Sequence, residues 1–421
     1  MLVNTFLCLY HEHLPPSSSC AATHLGVLKS GTMRGVAASR ARLSITPSSS
    51  TRDPHRRHPR RYLARVNAAV SELQQVKCFD GAWYGPEIKS RAQEWIWVLS
   101  EEEINEIDIA LSAVKAKGLN DIVSFGPETF TLPTLGPKLV ALGDELVSGR
   151  GFALMRGLPV EKYSNWDVCA IFHGLGRYMG TAVPQNRAGH IVGHVKDLGR
   201  DPNDPLTRLY TTNAAQPYHT DSADIVGLLC LSQATSGGHS QVTSSVAIWN
   251  ELVKRHPESA KVLLEPFVVS RKGEIPPGKQ ATYTIPIFHH TAEGRLCAIY
   301  DRSFIEAALK MADTPRLSEA QAQALDHLDD LACSDELRLD MTLAPGDIQW
   351  LHNHTTLHAR SAFTNDGVKP RHLLRLWVSP PKGKAMTLPA IFAERFDTIE
   401  PGPLRGGIRV EGQTLCVPPE P

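Results

Sequence analysis

Short apolar runs separated by turn residues dominate the chain from about position 78 to about position 417. Residues 152–158, 224–231, 282–288, 297–301, 348–351 and 372–379 each have the length and content of a buried strand. Ser236-Gly237-Gly238, Pro276-Pro277-Gly278 and Pro345-Gly346-Asp347 punctuate them as turns. Helical signals are fewer. One helix is predicted over 137–147. A second opens at Ser164, with Asp167 completing the cap three residues later, and runs to about Tyr178. A third is capped by Ser318 and Gln321 and runs to about Leu331. Many short strands with few helices predict a mainly β fold with flanking helices (α+β), built on a sandwich or jelly roll. No internal repeat and no long Gly/Ser linker interrupts 73–417, which reads as a single domain.

Residues 1–72 read differently. The first 71 hold ten Lys or Arg but two acids, Glu12 and Asp53, with serine runs at 17–19 and 48–50. An Arg/Ser-rich, acid-poor leader has the composition of a mitochondrial transit peptide. The same residues also fit a disordered leader with no address, or a true start at Met33, and either places an intracellular protein in the cytoplasm. Its arginines lack the interleaved aromatics of a nucleic-acid-binding arm.

The chain carries 44 Lys plus Arg against 44 Asp plus Glu, so no general electrostatic case exists for nucleic acid or an anionic membrane. No apolar run approaches the ~18 residues of a membrane span. The 8 cysteines are scattered without a CxxC pair, which argues against a disulfide framework or a structural zinc site and for a reducing compartment. A small-molecule substrate is the expected partner, and a homo-oligomer is compatible with this composition.

Histidine placement carries the chemistry. With 18 histidines a His-x-Asp triplet is a weak signal, and the chain has two. His327-Leu328-Asp329 falls in the helix that opens at Ser318, where residues two apart point roughly 200° apart and cannot share a metal. His219-Thr220-Asp221 precedes the run 224–231. In extended backbone its two side chains share a face and can chelate one ion. A facial triad needs a third ligand from elsewhere. The segment 346–360 offers His352 and His354, which share a strand face, and His358, which follows a turn. Local physics does not choose among them.

Thirteen residues after His358, Arg371 and Arg375 enter an apolar strand. Arginine in such a place needs an acid partner or an anionic ligand. The neighbourhood supplies no acid beyond Asp366, so a bound carboxylate explains them, with a salt bridge to a remote acid as the plainer account.

In order, His219-x-Asp221, Gly237-Gly238-x-Ser240, Asn353-x4-His358-x-Arg360 and Arg371-x3-Arg375 resemble the taurine dioxygenase-like family of iron(II)/2-oxoglutarate oxygenases. The likeness covers about 145–380. It implies a double-stranded β-helix core in which His219, Asp221 and His358 form the catalytic metal site and hold Fe(II). Arg371 would pair with the distal carboxylate of 2-oxoglutarate, and Ser240 would hydrogen-bond it where the family often has Thr. Arg375 matches a position that faces the substrate's anionic group in taurine dioxygenase. The implied reaction consumes dioxygen and 2-oxoglutarate, releases succinate and CO2, and oxidises a positioned C–H bond of a small, anionic organic molecule. A carboxylate at 221, where family halogenases have a small residue, implies hydroxylation or desaturation rather than halogenation. Ala215 stands where taurine dioxygenase has Asn, which argues against taurine itself. Two rivals are a non-catalytic jelly-roll binding protein and a cupin-type metalloenzyme that does not use 2-oxoglutarate. The second leaves the strand arginines unexplained.

Overall fold

Seventeen strands and a set of flanking helices are seen in the computed structural model, which describes residues 81–420 apart from positions 368 and 419. The expected leader and the first residues of the expected domain lie outside the described residues. In chain order the strands are β1 (Ile96–Val98), β2 (Phe152–Arg156), β3 (Thr181–Ala182), β4 (Val192–Lys196), β5 (Gln216–His219) and β6 (Ile225–Ser232). There follow β7 (Ser236–Gly237), β8 (Ser240–Ser244), β9 (Pro266–Ser270), β10 (Thr282–Pro286), β11 (Phe288–His290) and β12 (Leu296–Ala298). The last five are β13 (Leu339–Met341), β14 (Ile348–His352), β15 (Thr356–Arg360), β16 (Phe363–Thr364) and β17 (His372–Ser379).

Two sheets make the jelly roll. The larger runs β1-β2-β14-β6-β17-β3, with β4 also on β17, and the smaller runs β13-β8-β15-β5. All pairs in them are antiparallel except β1 with β2.

Alternation along each strand sorts side chains into three layers. On β17, Leu374, Leu376 and Val378 face out, into a core with the helices Glu101–Ala116, Leu135–Ser148 and Asn165–Arg177. Leu373 and Trp377 have the opposite parity and face inward, with Val226 and Leu228 of β6, Val242 of β8 and Leu351 of β14. The outer face of the smaller sheet packs Leu357 and Ala359 against the helices Ser245–Arg255 and Glu319–Cys333. Arg371 and Arg375 share the parity of Leu373 and Trp377. The pleat therefore carries both into the space between the sheets.

The caps behave as local chemistry dictates. Ser164 and Asp167, and Ser318 and Gln321, form reciprocal capping boxes. The single run expected over 282–288 is instead two strands, and helices at Glu101–Ala116, Ser245–Arg255 and Arg302–Leu309 add to the three predicted. His354 lies in the turn between β14 and β15, off the strand face expected to hold it with His352, and His358 is mid-strand in β15. Among the described residues no helix is long and apolar enough to cross a membrane.

Candidate active site

β5 and β15 are neighbours in the smaller sheet, and their register sets His358 directly across from His219. The two imidazole centroids are 4.1 Å apart. Asp221 lies just past the end of β5, on a loop clamped from two sides. Asn353 accepts from the Asp221 backbone N–H at 2.9 Å and donates to the Ala223 carbonyl at 2.9 Å. The Thr220 N–H donates to the Tyr300 carbonyl at 2.7 Å. As a result, one donor atom from each of His219, Asp221 and His358 falls within 4.8 Å of the others, all three buried.

Hydrogen bonding sorts the imidazole nitrogens. His219 Nδ1 donates to the Pro217 carbonyl at 2.9 Å, which leaves Nε2 unprotonated, and the Gln216 amide lies 2.9 Å from that Nε2. His358 Nε2 points at Asp221 Oδ2, 3.8 Å away. That carboxylate oxygen is buried without a hydrogen-bond donor, while its twin accepts from Arg375 Nη1 at 3.0 Å. Burial alone would raise the Asp221 carboxyl, but Arg375, His358 and His219 outweigh it and hold it at about 2. Burial, reinforced by His219, pushes His358 down to about 3. His358 kept neutral by burial, His219 with its Nδ1 tied to a carbonyl, and an ionised carboxylate with a bare oxygen fit the donor set of a divalent iron facial triad.

The other candidates go elsewhere. His352 bonds Thr355 Oγ1 at 2.8 Å, and His354 Nε2 lies 3.3 Å from Asp224, which is in turn paired with the buried Arg405. His327 stacks on His256 at 3.7 Å and bonds Ser259.

Between the sheets a cavity is lined by His219, His358, Ser240, Arg360, Arg371 and Arg375, among others. Arg371 is 5% exposed and, among the described residues, no carboxylate pairs with it. Its Nη2 donates to the Gly238 carbonyl at 3.2 Å, and its Nη1 has no partner. Burial lowers its guanidinium to about 10. Ser240 Oγ lines the same cavity and donates to Gln349 at 2.9 Å. Arg375 is placed differently. It is clasped by Gln185 at 2.8 Å and Asp221, and lies 4.7 Å from the Tyr210 ring and 4.8 Å from that of Trp377. Its Nη2 has no partner. A second cavity shares His219 and Arg375 with the first and adds Asp221 to its wall.

Sequence reasoning assigned no role to Gln185, Gln216 or Asn353, which orient Arg375, His219 and the Asp221 loop respectively. Asn353 stood in the ordered pattern. Gln185 stood in Pro184-Gln185-Asn186, within the span of the likeness, but its contact with Arg375 reaches across 190 positions, which the sequence does not show.

A double-stranded β-helix that gathers two imidazoles and a carboxylate between its sheets has the architecture of a mononuclear non-haem iron oxygenase. Residues 115–377 match the family described as taurine catabolism dioxygenase TauD, TfdA family, and the chain belongs to it. It is therefore a dioxygenase whose cofactors are Fe(II), 2-oxoglutarate and dioxygen. The chain is similar to FR-33289 synthase of Streptomyces rubellomurinus (strain ATCC 31215), 31% identical over 298 residues, or 70% of this chain and 87% of that one. It is also similar to the taurine hydroxylase-like protein SAT17 of Stachybotrys chartarum (strain CBS 109288 / IBT 7711), 30% identical over 306 residues, covering 70% and 77%. Its fold resembles the crystal structure of asparagine oxygenase in complex with Fe(II), 2S,3S-3-hydroxyasparagine and succinate. That likeness has a TM-score of 0.53 at 16% identity, over 68% of this chain and 93% of the other.

Proposed function

We propose that the protein couples decarboxylation of 2-oxoglutarate, to succinate and CO2, with hydroxylation of a small, anionic organic substrate. In this reading His219, Asp221 and His358 hold the iron, Arg371 and Ser240 take the distal carboxylate of 2-oxoglutarate, and Arg375 faces the substrate. The observation that carries it is a buried His/Asp/His cluster whose two imidazoles line the same cavity as an arginine that, among the described residues, no acid neutralises.

Each side chain has a task that its surroundings support. Arg375 holds one Asp221 oxygen and thereby turns the other towards His358. The Pro217 carbonyl fixes the His219 tautomer, so Nε2 offers its lone pair. Arg371 presents a planar fork whose Nη1 is unspent, a match for a carboxylate that lysine does not reproduce. Ser240 keeps a hydroxyl that can rotate from Gln349 to that carboxylate. Iron(II), when bound, supplies the activation of dioxygen. The apolar residues between the sheets exclude water around these groups.

Anaerobic reconstitution with Fe(II), followed by dioxygen, tests the reading. Succinate is expected only when Fe(II), 2-oxoglutarate and dioxygen are all present. Iron binding with no succinate and no 2-oxoglutarate binding would favour the cupin-type alternative.

A further inference from the structure

Arg360 is nearly as buried as Arg371, at 7% exposed against 5%, and the fold uses only part of it. Its Nη2 faces three main-chain acceptors, the carbonyls of Leu209 at 3.4 Å, Thr212 at 3.1 Å and Ala214. That nitrogen ties β15 to the segment leading into β5. Its Nε and Nη1 are buried without a partner. Burial, reinforced by Arg371, lowers its guanidinium to about 9, and Asp197 opposes the shift. Asp197 is partly exposed and forms no hydrogen bond with Arg360, and its Oδ1 accepts from the Gly199 N–H at 2.9 Å. Two donor groups of a buried cation are therefore left unengaged, a costly arrangement unless a ligand completes it.

Strand register places those donors. In the antiparallel pairing of β15 with β8, Arg360 stands directly opposite Ser240. Opposed residues share a sheet face and are close neighbours on it. Alternation along β15 puts His358 on that face as well, and all three line the cavity that Arg371 also lines. Phe363 packs against both guanidiniums, with its ring centroid 4.9 Å from the Arg360 guanidinium carbon and 5.2 Å from that of Arg371. A carboxylate at Ser240 would thus meet two arginines lining one cavity, each with an unpartnered nitrogen. One anion would satisfy donors that the protein itself leaves open, and would offset the repulsion between the two cations.

We propose that Arg360 is a second cosubstrate-binding residue, sharing the distal carboxylate of 2-oxoglutarate with Arg371 and Ser240 through Nε or Nη1 while Nη2 stays on the loop carbonyls. This deepens the proposed function and rests on it, since it takes Arg371 and Ser240 as the distal-carboxylate site. The opposing account is that Arg360 only ties down residues 209–214. Its loss would then disturb every ligand of the metal site alike, whether or not that ligand carries a distal carboxylate.

The test compares 2-oxoglutarate with 2-oxopentanoate, a 2-oxo acid of the same chain length that lacks the distal carboxylate. Each is titrated into the anaerobic Fe(II) forms of wild type, Arg360→Gln and Arg360→Lys, followed by the metal-to-ligand absorption band. Fe(II) affinity is measured separately, with neither acid present. Arg360→Gln should weaken 2-oxoglutarate at least about tenfold, and change 2-oxopentanoate and Fe(II) by less than about threefold. Arg360→Lys keeps the charge without the fork, and should bind 2-oxoglutarate alone more weakly than wild type. It retains donors for the loop carbonyls, and so carries the test where glutamine prevents folding. A loss shared equally by 2-oxopentanoate or by Fe(II) overturns this inference alone. So does an unchanged 2-oxoglutarate midpoint in Arg360→Gln, or in Arg360→Lys where the glutamine variant does not fold. A wild-type protein that forms no band with 2-oxoglutarate overturns the proposed function instead.

Discussion

Replacing Arg371 by alanine isolates the cosubstrate role from every other feature of the site. The side chain is buried, makes one hydrogen bond to the Gly238 carbonyl and leaves Nη1 unpaired. Removing one partner of a buried charge pair costs ~3–5 kcal/mol, or roughly a hundred- to several-thousand-fold in binding. Two features place this case at the low end. The free protein already bears the cost of burying Arg371, which burial holds at about 10, so its removal relieves the unbound state. Arg360 lines the same cavity and keeps two unpartnered nitrogens that can partly substitute. We expect Arg371→Ala to weaken 2-oxoglutarate about a hundredfold with iron retained, and Arg371→Lys to be intermediate, keeping the charge without the fork. The assay is a 2-oxoglutarate titration of the anaerobic iron complex, followed by its metal-to-ligand absorption band. An unchanged midpoint in Arg371→Ala would refute the assignment.

Gly238→Ala should weaken 2-oxoglutarate about tenfold in the same titration: φ is +71°, and a Cβ there would sit 2.7 Å from Arg371 Nε. An unaltered midpoint would show that the Arg371 seat tolerates displacement. Stability should fall on acidification below about pH 6.5, because burial holds His173 at about 3 and His372 at about 4, so the unfolded chain binds more protons across that window. Each contributes on the order of 3 kcal/mol by pH 4. Denaturant unfolding of a His173→Phe, His372→Gln double variant should show a shallower pH slope than wild type; equal slopes would contradict this. Truncation to a start near Leu73 should leave iron content and turnover intact, and loss of folded protein would place the leader within the domain.

Local chemistry made much of this fold legible. The strand predicted over 372–379 is observed with those ends, and both predicted capping boxes form. The helix Glu101–Ala116 was missed although Ser100 and Glu103 form a capping box and Ile107, Leu111 and Val114 recur at helical spacing. The signal was present in the sequence. β8 and β15 were missed for another reason. Their inward faces carry Ser240, His358 and Arg360 where a packed strand would be apolar, so the residues that make the site erase the pattern that announces a strand. The choice among His352, His354 and His358 depends on the pairing of β15 with β5, a long-range register with no local trace. The same holds for Arg375, whose contact with Asp221 spans 154 positions.

The central claim is that His219, Asp221 and His358 are the metal site, and iron stoichiometry tests it most directly. Wild type, His219→Ala, Asp221→Ala, His358→Ala, His352→Ala and His327→Ala would be loaded anaerobically with Fe(II), desalted and assayed for bound iron. Oxygen uptake dependent on 2-oxoglutarate would be measured on the same samples. Wild type, His352→Ala and His327→Ala are expected to hold one iron per chain and consume oxygen, while the first three variants lose one or both properties. An inactive, iron-free His352→Ala beside an active His358→Ala would contradict the account.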